Sequence, residues 1–189
     1  MAIFYLLSPL RYHDPMIRNA TIHDAPDIAA IYNPYITEFL TSFEKEAVPT
    51  EVMAERIRST TTSYPWLVYE SEGKIVGYAY ATRWKERHAY RYCVETAIYL
   101  QDGSGHRGLG TALYTELLQR LPESGIRIAI GCIALPNESS VALHEKLGFE
   151  KVGHFPAVGY KFGQWIDIGY WQKTLDAIQE SGNGSELPD

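Results

Sequence analysis

The stretch Tyr99-Leu100-Gln101-Asp102-Gly103-Ser104-Gly105-His106-Arg107-Gly108-Leu109-Gly110-Thr111 joins a run that reads as a strand to one that reads as a helix. Glycines at 105, 108 and 110 let the backbone come close to a ligand and take up conformations closed to other residues. The first amides of the helix have no partner within it, and its dipole favours negative charge at that end. His106 and Arg107 add side-chain donors, so the turn suits a pyrophosphate. It is not a P-loop, because Gly-x-x-x-x-Gly-Lys-Ser/Thr is missing. Nor does it open the first βαβ unit of a parallel sheet, where a dinucleotide fingerprint belongs.

Working outward, Ile17 to Thr21 reads as a strand and is followed by a helix opening near Asp24. Pro26 lies in the first turn of that helix, and Pro34 is expected to interrupt or kink it. A second helix is expected from Thr50 as N-cap, through Val52, Met53 and Ile57. Strands follow over Trp66 to Glu70, Lys74 to Thr82 and about Tyr90 to Leu100. Leu109 to Leu121 has helical spacing of apolar residues. Ile126 to Ile133 reads as a strand, and Asn137 to Leu147 as a helix capped by Asn137 and ended by Gly148. Phe149 to Phe155 and Tyr160 to Trp171 complete the strands. The order β-α-α-β-β-β-α-β-α-β-β predicts an α/β (α+β) fold, with a mixed, mostly antiparallel central sheet flanked by helices.

A second motif lies about 30 residues after the glycine-rich turn: Leu135-Pro136-Asn137-Glu138-Ser139-Ser140-Val141-Ala142-Leu143-His144-Glu145-Lys146-Leu147-Gly148-Phe149. In this order the two resemble the acetyl-CoA motifs of the GNAT superfamily of N-acetyltransferases. Further segments resemble its phosphinothricin and methionine sulfoximine acetyltransferase branch. These are Gly77-Tyr78-Ala79-Tyr80-Ala81, Trp84-Lys85, Ala89-Tyr90-Arg91, Val94-Glu95 and Gly159-Tyr160-Lys161-Phe162-Gly163-Gln164-Trp165-Ile166-Asp167. The likeness covers about Met16 to Leu175. It implies a GNAT-type sheet and acetyl-CoA as co-substrate, held by Gly105, His106, Arg107, Gly108, Leu109, Gly110 and Thr111. Backbone groups of Ile98, Tyr99 and Leu100 would pair with the pantetheine arm, as an added strand does. Asn137 either caps its helix or bonds that arm, the two uses competing for one side chain. The sequence departs from the family pattern at Gly105, where Gln or Arg usually stands.

Acetyl transfer to an amine calls for a base near the nitrogen and a proton for the departing thiolate. Glu95 is the candidate base: a carboxylate in an otherwise apolar strand, where desolvation raises its pKa. A structural ion pair or an exposed strand face is the competing reading. The resemblance places the base here too. If the strand begins near Tyr90, Arg91, Cys93 and Glu95 share one face. Arg91 then lies about 13 Å from Glu95, at about 3.3 Å per residue, leaving room for a small amino acid whose carboxylate meets the guanidinium. Trp84, Lys85 and Arg91 carry over as substrate residues, with Phe43 and Glu44 from a substrate-facing loop. His144 stands where many relatives place a tyrosine that protonates the thiolate; it also reads as a surface residue of its helix.

Bulk properties narrow the alternatives. The chain has 189 residues and a formal charge of -6, enough for one domain and without the basic face that nucleic-acid binding requires. Cys93 and Cys132 have no metal-ligand spacing and read as buried thiols of a reducing, cytoplasmic setting. Met1 to Leu10 is apolar but too short to span a bilayer. Residues 1–15 read as an N-terminal extension, 16–175 as the acetyltransferase domain and 176–189 as a polar tail. Relatives are commonly homodimers, and that expectation is carried over. The expected partner is a small-molecule amine, with neither nucleic acid nor membrane. A peptide or protein N-acetyltransferase and a non-catalytic CoA-binding protein are the rival readings. The final aromatic segment, Tyr160 to Trp171, favours a closed small-molecule site over a peptide groove.

Overall fold

The computed structural model describes residues 16–103 and 108–175. Seven strands run β1 Met16–Asn19, β2 Trp66–Ser71, β3 Lys74–Arg83, β4 Cys93–Leu100, β5 Ile128–Leu135, β6 Glu150–Lys161 and β7 Gln164–Thr174. The helices are α1 Ala25–Thr37, α2 Thr50–Thr60, α3 Leu109–Arg120 and α4 Glu138–Lys146. This is the element order expected from the sequence. The strands form one sheet in the order β1-β2-β3-β4-β5-β7-β6, parallel only between β4 and β5.

Strand alternation sends side chains to two cores. Leu67, Ala79, Val94 and Ala129 pack with Leu113, Tyr114 and Leu117 of α3. Val68, Trp66 and Tyr78 pack on the opposite face with Ile28, Ile36, Met53 and Ile57 of α1 and α2. On that second face the apolar cluster beyond β4 is small: Ala134, Ile166 and Ile168, with Leu40 from the loop after α1.

Five expectations need correction. Cys132 is exposed and Cys93 half-buried, so neither is the buried thiol expected. Pro34 does not break α1, which continues to Thr37; it falls in the last turn, where only the bond to the Ala30 carbonyl is lost. Thr50 is the first residue of α2, after Pro49, and makes no side-chain cap. The third long strand begins at Cys93, because His88–Tyr90 forms a 3-10 turn that ends on Arg91 at φ -57° and ψ -21°. The final hairpin turns at Phe162 and Gly163, both with positive φ, so β6 runs on through Pro156 to Lys161. The Asp167 carboxylate makes this feasible by accepting the Ala157 N–H at 2.8 Å, inside the irregular stretch between Phe155 and Gly159. Among the described residues no helix is long and apolar enough to cross a membrane.

Candidate active site

The parallel pairing of β4 with β5 starts at Cys93↔Ile128 and stops at Thr96↔Gly131, although both strands continue. Beyond that point β3 holds β4 as far as Leu100, while β7 holds β5 as far as Leu135. Each strand follows its outer neighbour, and the sheet forks. The peptide groups of Ala97–Tyr99 facing the gap have no ladder partner across it. An extended, amide-bearing ligand fits such an edge.

Buried side chains brace the branch point. A Cβ at Gly131 would lie 2.5 Å from His144 Nε2, so only glycine admits the imidazole there. His144 Nδ1 donates to the Ser140 carbonyl at 2.8 Å, and Nε2 is 3.0 Å from the Tyr114 hydroxyl. That hydroxyl is 2.6 Å from Thr96 Oγ1, which also donates to the Ile130 carbonyl at 3.2 Å. Burial pushes the His144 pKa down. His144 is 4% exposed, and both ring nitrogens are engaged. It is therefore not the surface residue its helix position allowed.

At the mouth of the fork α3 begins on Gly108, whose φ of 75° is left-handed. Gly110 lets the helix approach β4: a Cβ there would lie 3.3 Å from Leu100 Cδ1. The leading amides around Leu109, Gly110 and Thr111 are left to an anion. Gly105, His106 and Arg107 lie outside the described residues. At the start of α4, Asn137 Oδ1 accepts from the Ser140 N–H and the Ser139 hydroxyl, both at 3.1 Å. Capping thus uses the oxygen and leaves the Nδ2 donors available. Gly108→Ala is expected to cost about 1–2 kcal/mol in the left-handed conformation and to raise the Kd of a coenzyme A ligand, measured by calorimetry.

On the other face Glu95 is half-buried, and desolvation pushes its pKa up against a smaller opposing pull from Lys85. Lys85 Nζ lies 5.1 Å from the Trp84 ring centroid, and Trp84 packs edge-on against Tyr90 at 5.3 Å. Arg91 does not share the strand face of Glu95, because it precedes the strand. The strand-based spacing of the two therefore does not apply. Its Nη1 is 3.3 Å from His88 Nδ1, and its guanidinium sits 4.2 Å from the Tyr92 ring centroid. Glu44 is spoken for: Arg56 binds both carboxylate oxygens at 2.8 and 2.9 Å, and the Tyr32 hydroxyl donates at 2.8 Å. The Arg56 guanidinium holds this carboxyl below its usual range.

The Phe43 ring is held against the hairpin, occupying the place a Cβ at Gly159 would need, 2.3 Å away. Lys161 Nζ donates to the carbonyls of Tyr35, Phe39 and Ser42. The hairpin thereby clasps the end of α1 and the loop after it. Sequence reasoning missed the parts played by Arg56, Lys161, Tyr114 and Thr96. Lys161 had a signal, a lone cation between aromatic residues; Arg56 had none beyond an exposed helix position.

Residues 17–169 match the family model described as an acetyltransferase (GNAT) domain. Phosphinothricin N-acetyltransferase of Streptomyces viridochromogenes is 39% identical over 160 residues, covering 85% of this chain and 87% of the relative. The L-methionine sulfoximine/L-methionine sulfone acetyltransferase of Pseudomonas aeruginosa is 33% identical, covering 87% and 97%. A phosphinothricin acetyltransferase from Sinorhizobium meliloti, solved in complex with AcCoA, superimposes with a TM-score of 0.83 at 33% identity, covering 92% of this chain and 95% of that one. With a matching family model, these identities and the forked sheet, the chain belongs to the GNAT acetyltransferase family.

Proposed function

We propose that the chain transfers the acetyl group of acetyl-CoA directly to the amine of a small amino-acid-like acceptor, such as phosphinothricin or methionine sulfoximine. The observation that carries this reading is the placement of Glu95, a half-buried carboxylate on β4 one residue before the sheet forks. Acetyl-CoA supplies the activated acyl group. The residues present fit it: Gly108–Thr111 offers amides to the pyrophosphate, with Gly105, His106 and Arg107 assigned alongside by resemblance. Ile98–Leu100 offers backbone groups to the pantetheine arm, and Asn137 offers Nδ2.

In this reading Glu95 takes a proton from the acceptor ammonium, directly or through one water, and leaves a neutral nitrogen able to attack the thioester carbonyl; as the carbon–sulfur bond breaks, the second proton shed by that nitrogen goes to the departing thiolate. Trp84, Lys85 and Arg91 orient the acceptor from the β3–β4 side, and Phe43 closes over it. Glu44 shapes the site through Arg56 instead of touching the acceptor amine. His144 and Tyr114 hold the branch point open.

The clasp of Lys161 and Gly159 on the loop carrying Phe43 favours a free amino acid over a peptide. Competition assays at fixed acetyl-CoA test this: amino-acid acceptors are expected to be turned over, and alanine-initiated peptides are not. Preference for the peptides would overturn the small-molecule reading. A cytoplasmic homodimer completes the proposal. The edge strand β6 and its hairpin leave Phe155, Val158, Tyr160, Phe162 and Trp165 more than half exposed, an apolar face that a second copy would cover. Light scattering is expected to give twice the 21.4 kDa chain mass; a monomer would refute it.

A further inference from the structure

Thr82 is the register partner of Glu95. In an antiparallel pair their Cβ atoms share one face at about 4.5–5.5 Å. Thr82 also lines a cavity of about 170 Å³ between α2 and the β2–β3 face, with Arg56, Ser59, Thr60, Trp66 and Tyr80. That is room for several waters, enough for the end of a small side chain. It begins at the cross-strand neighbour of the base.

Its chemistry is particular. Tyr80 stacks on Trp66 with centroids 4.3 Å apart, giving a flat apolar wall. The hydroxyls of Thr60, Tyr80 and Thr82 make no hydrogen bond among the described residues. Arg56 alone among the lining residues is charged, and Glu44 closes on it with both oxygens while also accepting from Tyr32, another lining residue. The wall is thus hydroxyl-rich with no net charge. An anion entering it would give up water and meet no surplus positive charge, whereas a neutral polar group would exchange water for hydroxyl partners.

We infer that this cavity takes the acceptor's side chain and selects an uncharged polar terminus, such as a sulfone, sulfoximine or amide, over an anionic one such as a phosphinate. The inference rests on acetyl transfer to a small amine with Glu95 as base. Glu44 then tunes specificity by neutralising Arg56.

The test compares kcat/KM for methionine sulfone and phosphinothricin in the unaltered chain, in Glu44→Gln and in Arg56→Gln, with circular dichroism checking that each is folded. The unaltered chain is expected to favour the sulfone. Glu44→Gln exposes an uncompensated guanidinium and is expected to raise the phosphinothricin-to-sulfone ratio by about tenfold or more. Arg56→Gln leaves the carboxylate unpaired and is expected to lower it. A purely structural role for the pair would depress both substrates together and leave the ratio unmoved. That result, or a preference of the unaltered chain for phosphinothricin, overturns the inference while acetyl transfer stands. No turnover of either acceptor overturns both.

Discussion

Glu95→Gln is expected to lower kcat by about 10²–10⁴-fold while the Kd for acetyl-CoA stays within about twofold of the unaltered value. The amide keeps the shape of the side chain but cannot take up a proton. The pH dependence carries a second signature. A base works only when deprotonated, and burial raises the pKa of Glu95. The rising limb of kcat/KM therefore lies above the ordinary carboxylate range. Lys85 pulls that pKa down, so Lys85→Ala is expected to shift the limb to still higher pH. Glu95→Gln is expected to abolish it. Turnover near normal in Glu95→Gln, with the limb unchanged, would remove Glu95 from the mechanism.

The largest expected loss of stability comes from Trp171→Ala. Trp171 is 2% exposed and belongs to the α3-side core with Tyr114 and Phe149. It pairs in register with Gly131, the residue at the branch point. Its ring fills the space a side chain at Gly169 would need, 2.3 Å from that Cβ position, and Nε1 donates to Glu145 at 3.3 Å. Truncation empties this volume between β7 and α4 at a cost of about 3–5 kcal/mol. For a chain of this size that corresponds to a fall of roughly 10 °C in Tm, read by thermal unfolding. A fall of less than about 3 °C would mean that the site collapses around the missing ring.

Much of this architecture is legible in the sequence because local chemistry and the fold agree. Asn137 and Gly148 bracket α4 by capping and by left-handed φ, and the structure puts them in those roles. Gly108 and Gly110 sit at the start of a helix, as their spacing implies. The reading failed where distant residues decide. Nothing near Pro156 announces that Asp167 will carry β6 through the irregularity. Nothing near Tyr90 distinguishes the end of a 3-10 turn from the start of a strand, so strand alternation puts Arg91 on a face it does not share. The fork is invisible for the same reason: it follows from which neighbour each strand keeps. Likewise, Glu44 reads as a residue of a substrate-facing loop until α2 brings Arg56 to it, and His144 as a surface residue until Gly131 makes room for its ring.

The most direct test is release of coenzyme A thiol from acetyl-CoA against phosphinothricin, methionine sulfoximine, methionine sulfone, ordinary amino acids, polyamines and a short peptide. Thiol release dependent on the amino-acid analogues is expected, with little from the peptide. Silence across the panel, with acetyl-CoA still bound, would contradict it and favour a binding protein without catalysis.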